Sequence, residues 1–199
     1  MSRGKKLPGA NAKPLEGAKK EEWEKVKAAG EMAGLAVRSG DVAGVESALE
    51  ALRSANLDPR EVLNALHIPT DAGEHAVGLE KILRRIPDGW GRWIGCGPGW
   101  YPIIVELDQQ LAGVVPDYEV HQVKEKFGGL RYYYAGPGHL VDEMDRLVRV
   151  AEDKADRTCE ACGKPGRLHR TTGAYPWYQT LCRRCAKERG YVPDQEAEA

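Results

Sequence analysis

The C-terminal fold of this chain is decided by the stretch CEACGKPGRLHRTTGAYPWYQTLCRRC, residues 159–185. The stretch begins with the pair Cys159/Cys162, ends with the pair Cys182/Cys185, and has 19 residues between the pairs. Two Cys-x-x-Cys pairs at this separation are typical of a zinc site, because each turn points two thiolates at one tetrahedral ion. Thiolate ligands also favour Zn²⁺ over Mg²⁺ or Ca²⁺. The sequence therefore predicts one zinc ion, held by all four cysteines.

The predicted ion has four protein ligands, so no coordination position is left for a reactive water molecule. We therefore expect a structural zinc and a protein that is not an enzyme. The alternative for the four cysteines, two disulfide bonds, belongs to oxidising compartments. Residues 1–14 are basic and rich in glycine and proline, without the apolar segment of a secretory signal. We therefore expect a reducing, cytoplasmic location.

The residues around the cysteines predict how this segment folds. Gly163 follows the first pair directly and suits a tight turn, and the second pair opens a helical stretch over residues 183–189. A turn, a hairpin and a helix that carries the second pair form a treble-clef-like arrangement. We assign this Cys₄ module to residues 157–191 and an acidic tail to residues 192–199.

Upstream of the module, the segment KEKFGGLRYY, residues 124–133, predicts a β-hairpin. Apolar and aromatic residues recur at every second position before and after the turn. Phe127-Gly128-Gly129 reverses the chain, and we predict Gly128-Gly129 as the turn itself. Helices are predicted to begin at Tyr101-Pro102 and to run over residues 139–155. The expected result is a helix–β-hairpin–helix core over residues 87–156.

The sequence of the first 86 residues predicts a basic arm followed by helices. Residues 1–17 are rich in glycine and proline and predict a flexible arm. Residues 18–86 contain four amphipathic segments, and Asp41 and Asp58-Pro59 are typical helix starts. The predicted fold class is therefore α+β: a helical N-terminal segment, the helix–β-hairpin–helix core and the Cys₄ module.

The net charge of −1 conceals a strong asymmetry. Residues 1–20 carry a net charge of +5 and residues 157–191 carry +6, whereas residues 21–156 carry −9 and the tail carries −3. An acidic body with two basic ends is typical of contact with a polyanion. The side chains predicted to contact nucleic-acid phosphates are Arg167, Arg170, Arg183, Arg184 and Lys187.

Three features together carry a resemblance to a known group of proteins. The tetrapeptide Gly99-Trp100-Tyr101-Pro102, the KEKFGGLRYY segment and the downstream Cys₄ module resemble small uncharacterised proteins of bacteriophages and prophages. The resemblance covers about residues 80–190. It implies a viral setting in the cytoplasm of a bacterial host, and it implies no particular activity.

These observations lead to one expected function and two alternatives. We expect a non-enzymatic accessory or regulatory protein that contacts nucleic acid or a host nucleoprotein complex. The first alternative is an adaptor or inhibitor that binds a host protein through the loop with Trp90, Trp93 and Trp100 and through the acidic helices, with a purely structural zinc. No stretch approaches the roughly 20 apolar residues of a membrane helix, so we expect no membrane partner.

The second alternative is an enzyme. The site resembles that of HNH endonucleases, which often have two Cys-x-x-Cys pairs, and this chain would be a degenerate member. Active HNH enzymes need a catalytic histidine in a longer insert and a further Asn or His that binds a catalytic metal. His169 is the only histidine between the pairs here, and no asparagine lies there. Cys96, just before a predicted helix, is the candidate nucleophile of a hydrolase.

Overall fold

A computed structural model describes residues 6–173 and 175–194 of the 199-residue chain. Over these residues the protein is α+β, with seven α-helices and two three-stranded sheets. The helices are α1 (Gly17–Ser39), α2 (Val42–Ser54), α3 (Pro59–Asn64), α4 (Ala76–Arg84), α5 (Tyr101–Val114), α6 (Val141–Ala155) and α7 (Arg183–Arg189). The strands are β1 (Ile94–Gly95), β2 (Glu119–Lys126), β3 (Gly129–Ala135), β4 (Arg167–Arg170), β5 (Tyr178–Leu181) and β6 (Val192–Pro193). The first five residues of the predicted arm and the last five of the predicted tail lie outside the described residues.

The predicted N-terminal helices are present, and side-chain caps explain where two of them begin. Asp41 accepts a 3.0 Å hydrogen bond from the Gly44 N–H at the start of α2. Asp58 accepts a 2.9 Å bond from the Arg60 N–H at the start of α3. Each carboxylate satisfies a backbone donor that has no partner inside its helix. Helix α3 is short and ends at Asn64.

The main hydrophobic core lies between α4, α5, α6 and the inner face of the β2–β3 hairpin. Helix α4 contributes Leu79, Ile82 and Leu83, whose spacing places them on one buried face. Trp100, just before α5, is completely buried in the same core. The core therefore extends across the predicted boundary at residue 87, because α4 before it packs on α5 after it.

A polar network is buried inside this core. The guanidinium of Arg85 donates a 2.6 Å hydrogen bond from Nε to Asp108 Oδ1, and the Tyr118 hydroxyl donates to the same oxygen at 2.7 Å. The hydroxyls of Tyr118 and Tyr132 are 2.7 Å apart. Burial, reinforced by Tyr132 and Asp108, raises the pKa of Tyr118, so its hydroxyl stays protonated as a donor.

The β2–β3 hairpin has its turn one residue earlier than predicted. Lys126 pairs with Gly129, so the turn residues are Phe127 and Gly128, with φ of +56° and +82°. A two-residue turn of this kind needs a positive φ at both positions, and the strand twist selects it. The predicted Gly128-Gly129 turn is therefore wrong, and Gly129 is the first residue of β3.

Residues 9–12 of the predicted flexible arm are hydrogen-bonded to α4. The Gly9 N–H donates to the Arg84 carbonyl oxygen at 2.8 Å, and the Arg84 guanidinium donates to the carbonyl oxygens of Gly9, Ala10 and Ala12. The pattern of glycines and lysines gave no sign of this contact, because its acceptors are backbone atoms. Among the helices described, none is long and apolar enough to span a membrane.

Candidate metal centre

Three local structures bring the four cysteines together. Cys159 and Cys162 lie on the tight turn that follows α6, where the Gly163 N–H donates to the Cys159 carbonyl oxygen at 2.8 Å. Strands β4 and β5 then form an antiparallel pair that returns the chain to this turn. Cys182 is the N-cap residue of α7, and Cys185 lies in its first turn.

The sulfur atoms have the spacing of a tetrahedral metal site. All four Sγ atoms lie within 4.8 Å of one another, and Cys162 Sγ is 3.7 Å from Cys182 Sγ and 3.6 Å from Cys185 Sγ. Four thiolates at about 2.3 Å from a central ion lie about 3.8 Å apart. A disulfide requires about 2.05 Å. All four cysteines are free thiols, so the cluster could hold a metal ion and contains no disulfide.

The start of α7 favours the thiolate form of Cys182. The Cys185 N–H points at Cys182 Sγ at 3.5 Å, and this hydrogen bond lowers the pKa of Cys182 to about 6. Cys159 is completely buried, and burial raises the pKa of its thiol. A cation held between the four sulfurs would supply the charge that allows a buried thiolate at Cys159.

The turn between the first two cysteines is docked on the loop before α5. Glu160, between these cysteines, is buried, and its Oε1 accepts a 2.9 Å hydrogen bond from the Gly97 N–H. Its backbone oxygen accepts a 2.7 Å bond from the Gly99 N–H. The Trp100 indole N–H donates to the Thr158 carbonyl oxygen at 2.7 Å. Burial raises the pKa of the Glu160 carboxyl, and the Gly97 N–H opposes that shift by bonding its charged form.

This docking leaves no space for a side chain at Gly99. A Cβ there would lie 2.1 Å from the Cys159 carbonyl oxygen and 2.5 Å from the Gly163 nitrogen. Both atoms belong to the backbone of the turn that carries Cys159 and Cys162, the candidate metal-binding turn. They cannot move without disturbing these cysteines. The glycine-rich loop over residues 95–99 is therefore shaped to receive this turn.

A second contact joins the module to the core hairpin. Thr180 Oγ1, on β5, donates a 2.7 Å hydrogen bond to the carbonyl oxygen of Gly128 in the β2–β3 turn. A Cβ at Gly128 would lie 2.2 Å from Leu168 Cδ1 on β4. The module thus contacts the core at two places: the loop before α5 and the turn of the hairpin.

The five predicted phosphate-contacting residues form two groups. Arg183, Arg184 and Lys187 are exposed on α7, and exposed Arg167 lies next to them because it pairs with Leu181 at the start of the helix. Arg184 Nε lies 3.9 Å from the carboxylate of Glu188. Arg170 lies at the other end of β4, where its Nε is 3.5 Å from the Asp194 carboxylate.

Cys96 does not have the environment of a nucleophile. Burial raises the pKa of its thiol, and the carboxylates of Glu160, Glu125 and Asp71 add to that shift. A thiol held in its neutral form is a poor nucleophile. Its side chain instead packs against the main core.

The tryptophans of the 87–100 loop have three different environments. Trp100 is buried, Trp93 is half-buried near Trp23 and His67, and Trp90 is 55% exposed and stacks on His121 at 4.5 Å. The loop is therefore not one aromatic surface.

Sequence reasoning missed Glu160 and the aromatic residues at the tip of the module. Tyr175 is 89% exposed and Trp177 is 50% exposed, and both lie between β4 and β5. The available signal was composition, since a short loop inside a basic module contains two large aromatic residues. Comparison of the chain with protein-family models, curated proteins and solved structures found no match.

Proposed function

We propose that this protein binds nucleic acid through its Cys₄ module, which a single structural Zn²⁺ ion holds together, and that it has no catalytic activity. The observation that carries the proposal is the position of exposed Arg167, Arg183, Arg184 and Lys187 beside the four-sulfur cluster. These cations share one end of the β4–β5 pair and the helix that begins at Cys182.

Zinc is the ion that suits this donor set. Four thiolates in a closed tetrahedral shell favour zinc, which has no preference for another geometry and no redox chemistry of its own. The metal-binding turn, the β4–β5 pair and α7 follow one another in the order of a treble clef. The module has only a small cluster of buried apolar residues, and a bound zinc ion would supply the folding free energy that this cluster lacks. The buried members of the cluster are Cys159, Leu181, Cys185 and Ala186.

The charge of the module favours a polyanion. Residues 157–191 carry eight basic and two acidic side chains, a net charge of +6. A zinc ion with four thiolates contributes a formal charge of about −2, so the module remains clearly positive. Residues 21–156 carry a net charge of −9, which disfavours contact with a polyanion over most of that part of the chain. Phosphate contacts from arginine and lysine give affinity without sequence preference.

The setting we propose is the cytoplasm of a phage-infected or prophage-bearing bacterium, where such a protein would act as an accessory factor on nucleic acid or on a host nucleoprotein complex. This setting is supported by the resemblance carried by residues 80–190.

Charge reversal tests the proposal. In the double variant Arg183→Glu/Arg184→Glu, binding to labelled duplex and single-stranded DNA is followed by fluorescence anisotropy at about 50 mM salt. We expect binding to all sequences to weaken alike, because phosphate contacts carry no sequence information. The matched control is Arg146→Glu/Arg149→Glu, which makes the same change in net charge at exposed positions of α6.

Two results would contradict the proposal. Equal weakening by both double variants would show a response to net charge rather than to the module. Failure of the wild-type protein to bind duplex DNA, single-stranded DNA and RNA would favour the adaptor alternative, in which the module binds a host protein.

A further inference from the structure

Phe127 occupies a backbone position that does not suit its side chain. Its φ of +56° lies in the left-handed region, and it is the one non-glycine residue with a positive φ among the residues described. Asparagine or glycine is the usual choice at such a turn, and a bulky side chain is strained there. The ring does not gain a place in the core, because Phe127 is 73% exposed. Neither core packing nor solubility explains a phenylalanine at this position, and residues held in strained backbone conformations cluster at functional sites.

The Phe127 ring is one of two exposed aromatic rings on the hairpin that face a lysine. Lys126 Nζ lies 5.4 Å from the Phe127 ring centroid, and Lys124 Nζ lies 5.7 Å from the Tyr133 ring centroid. Tyr133 is 42% exposed. Side chains alternate between the faces of a strand, so Lys124, Lys126 and Tyr133 lie on the outer face while Tyr132 is buried on the inner one.

The hairpin turn that carries Phe127 contacts the strand that directly follows Trp177 in the Cys₄ module. The turn that carries Phe127 is bonded to β5 through the contact between Gly128 and Thr180. Trp177 directly precedes β5, and two 2.9 Å hydrogen bonds with Thr171 hold its backbone in place. We call the exposed rings of Tyr133, Phe127, Trp177 and Tyr175, with Lys124 and Lys126, the stacking surface.

We propose that the stacking surface binds single-stranded nucleic acid, with bases stacked on Phe127 and Trp177 and phosphates near the lysines. This inference rests on the proposed function, whose basic side chains supply further phosphate contacts. The bases of a duplex are stacked on one another and paired, so only a single strand offers free faces to aromatic rings. Stacking tolerates any sequence, and nearby cations strengthen it.

The test compares ring-removing variants on two forms of one sequence. Phe127→Asn and Trp177→Ala are titrated by anisotropy with a labelled single strand of roughly 12 nucleotides and with its duplex. We expect each variant to bind the single strand about fivefold more weakly or worse, with little change for the duplex. The matched control is Trp90→Ala, because the exposure of Trp90 is close to that of Trp177 but Trp90 lies outside the stacking surface.

Phe127→Asn also separates binding from folding. Asparagine adopts a left-handed backbone more readily than phenylalanine, so this variant should melt at a higher temperature than the wild type while binding the single strand more weakly. A purely structural role for Phe127 cannot produce that combination.

The outcomes distinguish this inference from the function on which it rests. Unchanged single-strand affinity in both variants, with wild-type binding intact, would overturn the stacking surface and leave the phosphate-binding module standing. Equal losses for single strand and duplex would also overturn it. If the wild-type protein bound neither the single strand nor the duplex, both the stacking surface and the proposed function would be overturned. The exposed rings would then be assigned to contact with a protein partner.

Discussion

The backbone N–H of Gly99 donates a 2.7 Å hydrogen bond to the carbonyl oxygen of Glu160, the residue that follows the first metal-binding cysteine. This bond, with those from Gly97 and Trp100, fixes the metal-binding turn on the loop that precedes α5. The position of the four-cysteine cluster is therefore determined by contacts with the core of the protein as well as by the cysteines.

Replacement of Gly99 by alanine should destabilise the protein. The added Cβ would meet two backbone atoms of the metal-binding turn at 2.1 and 2.5 Å, so either the turn or the loop must move. We expect a loss of about 1–3 kcal/mol or more in the free energy of unfolding, measured by chemical denaturation. The control is Gly113→Ala on α5, where a Cβ meets no atom within 4 Å and alanine suits the helix better. Equal stability of the two variants would show that the docking contact is not tight.

Each purified chain should contain one zinc ion. The four sulfurs have the spacing of a single tetrahedral site, and elemental analysis of protein prepared without added metal measures the ratio directly. The variant Cys162→Ser should lose most of its zinc, while Cys96→Ser should keep it, because Cys96 lies outside the cluster. A ratio well below one in the wild type, or equal loss in both variants, would disprove the assignment.

Loss of the metal should unfold the Cys₄ module and spare most of the core. The module and the core have separate clusters of buried apolar residues, so Cys182→Ser should increase amide hydrogen exchange mainly over residues 157–191. The 95–99 loop should also exchange faster, because its hydrogen-bond acceptors lie on the metal-binding turn. Rapid exchange throughout α5 and β2 would show instead that the core depends on the metal.

The cysteine spacing, the helix caps and the alternation in the hairpin were sufficient to predict the four-cysteine cluster and most of the elements. They carry strong local signals, since a pair such as Cys159/Cys162 or a cap such as Asp41 is defined within four residues. The docking of Glu160 on Gly97 joins residues 63 positions apart, and no local pattern marks it. The turn was misplaced because either Phe127-Gly128 or Gly128-Gly129 satisfies the strand alternation, and only the pairing of Lys126 with Gly129 decides between them.

Breaking the buried ion pair between Arg85 and Asp108 should destabilise the protein far more than breaking a surface pair. Asp108→Ala leaves the Arg85 guanidinium buried without its carboxylate and removes the acceptor of Tyr118, so we expect a loss of about 3–5 kcal/mol in unfolding free energy. Glu106→Ala breaks the exposed pair with Lys154 and should cost about 0.5 kcal/mol or less. Comparable losses from the two variants would contradict the role of the buried network.

His67 should make stability fall on mild acidification. Burial lowers the pKa of His67 below 6.5, while its Nε2 donates a 2.7 Å hydrogen bond to the Val62 carbonyl oxygen. Below pH 6.5 the unfolded chain takes up this proton more readily than the folded one, so the stabilisation present above pH 6.5 is lost as pH falls through the folded pKa. The melting temperature of wild type should therefore drop more between neutral and mildly acidic pH than that of His67→Gln. A ring titration by NMR with a midpoint above 6.5 would contradict this account.

The central claim, that the Cys₄ module contacts nucleic-acid phosphates, is tested most directly by the salt dependence of binding. If about four phosphates are engaged, the logarithm of the duplex-binding constant should fall with the logarithm of salt concentration at a slope of about −3 to −4. The variant Arg183→Glu/Arg184→Glu should reduce the magnitude of that slope by about 2, since two phosphate contacts are lost. A wild-type slope near zero, or an unchanged slope in the variant, would contradict the claim.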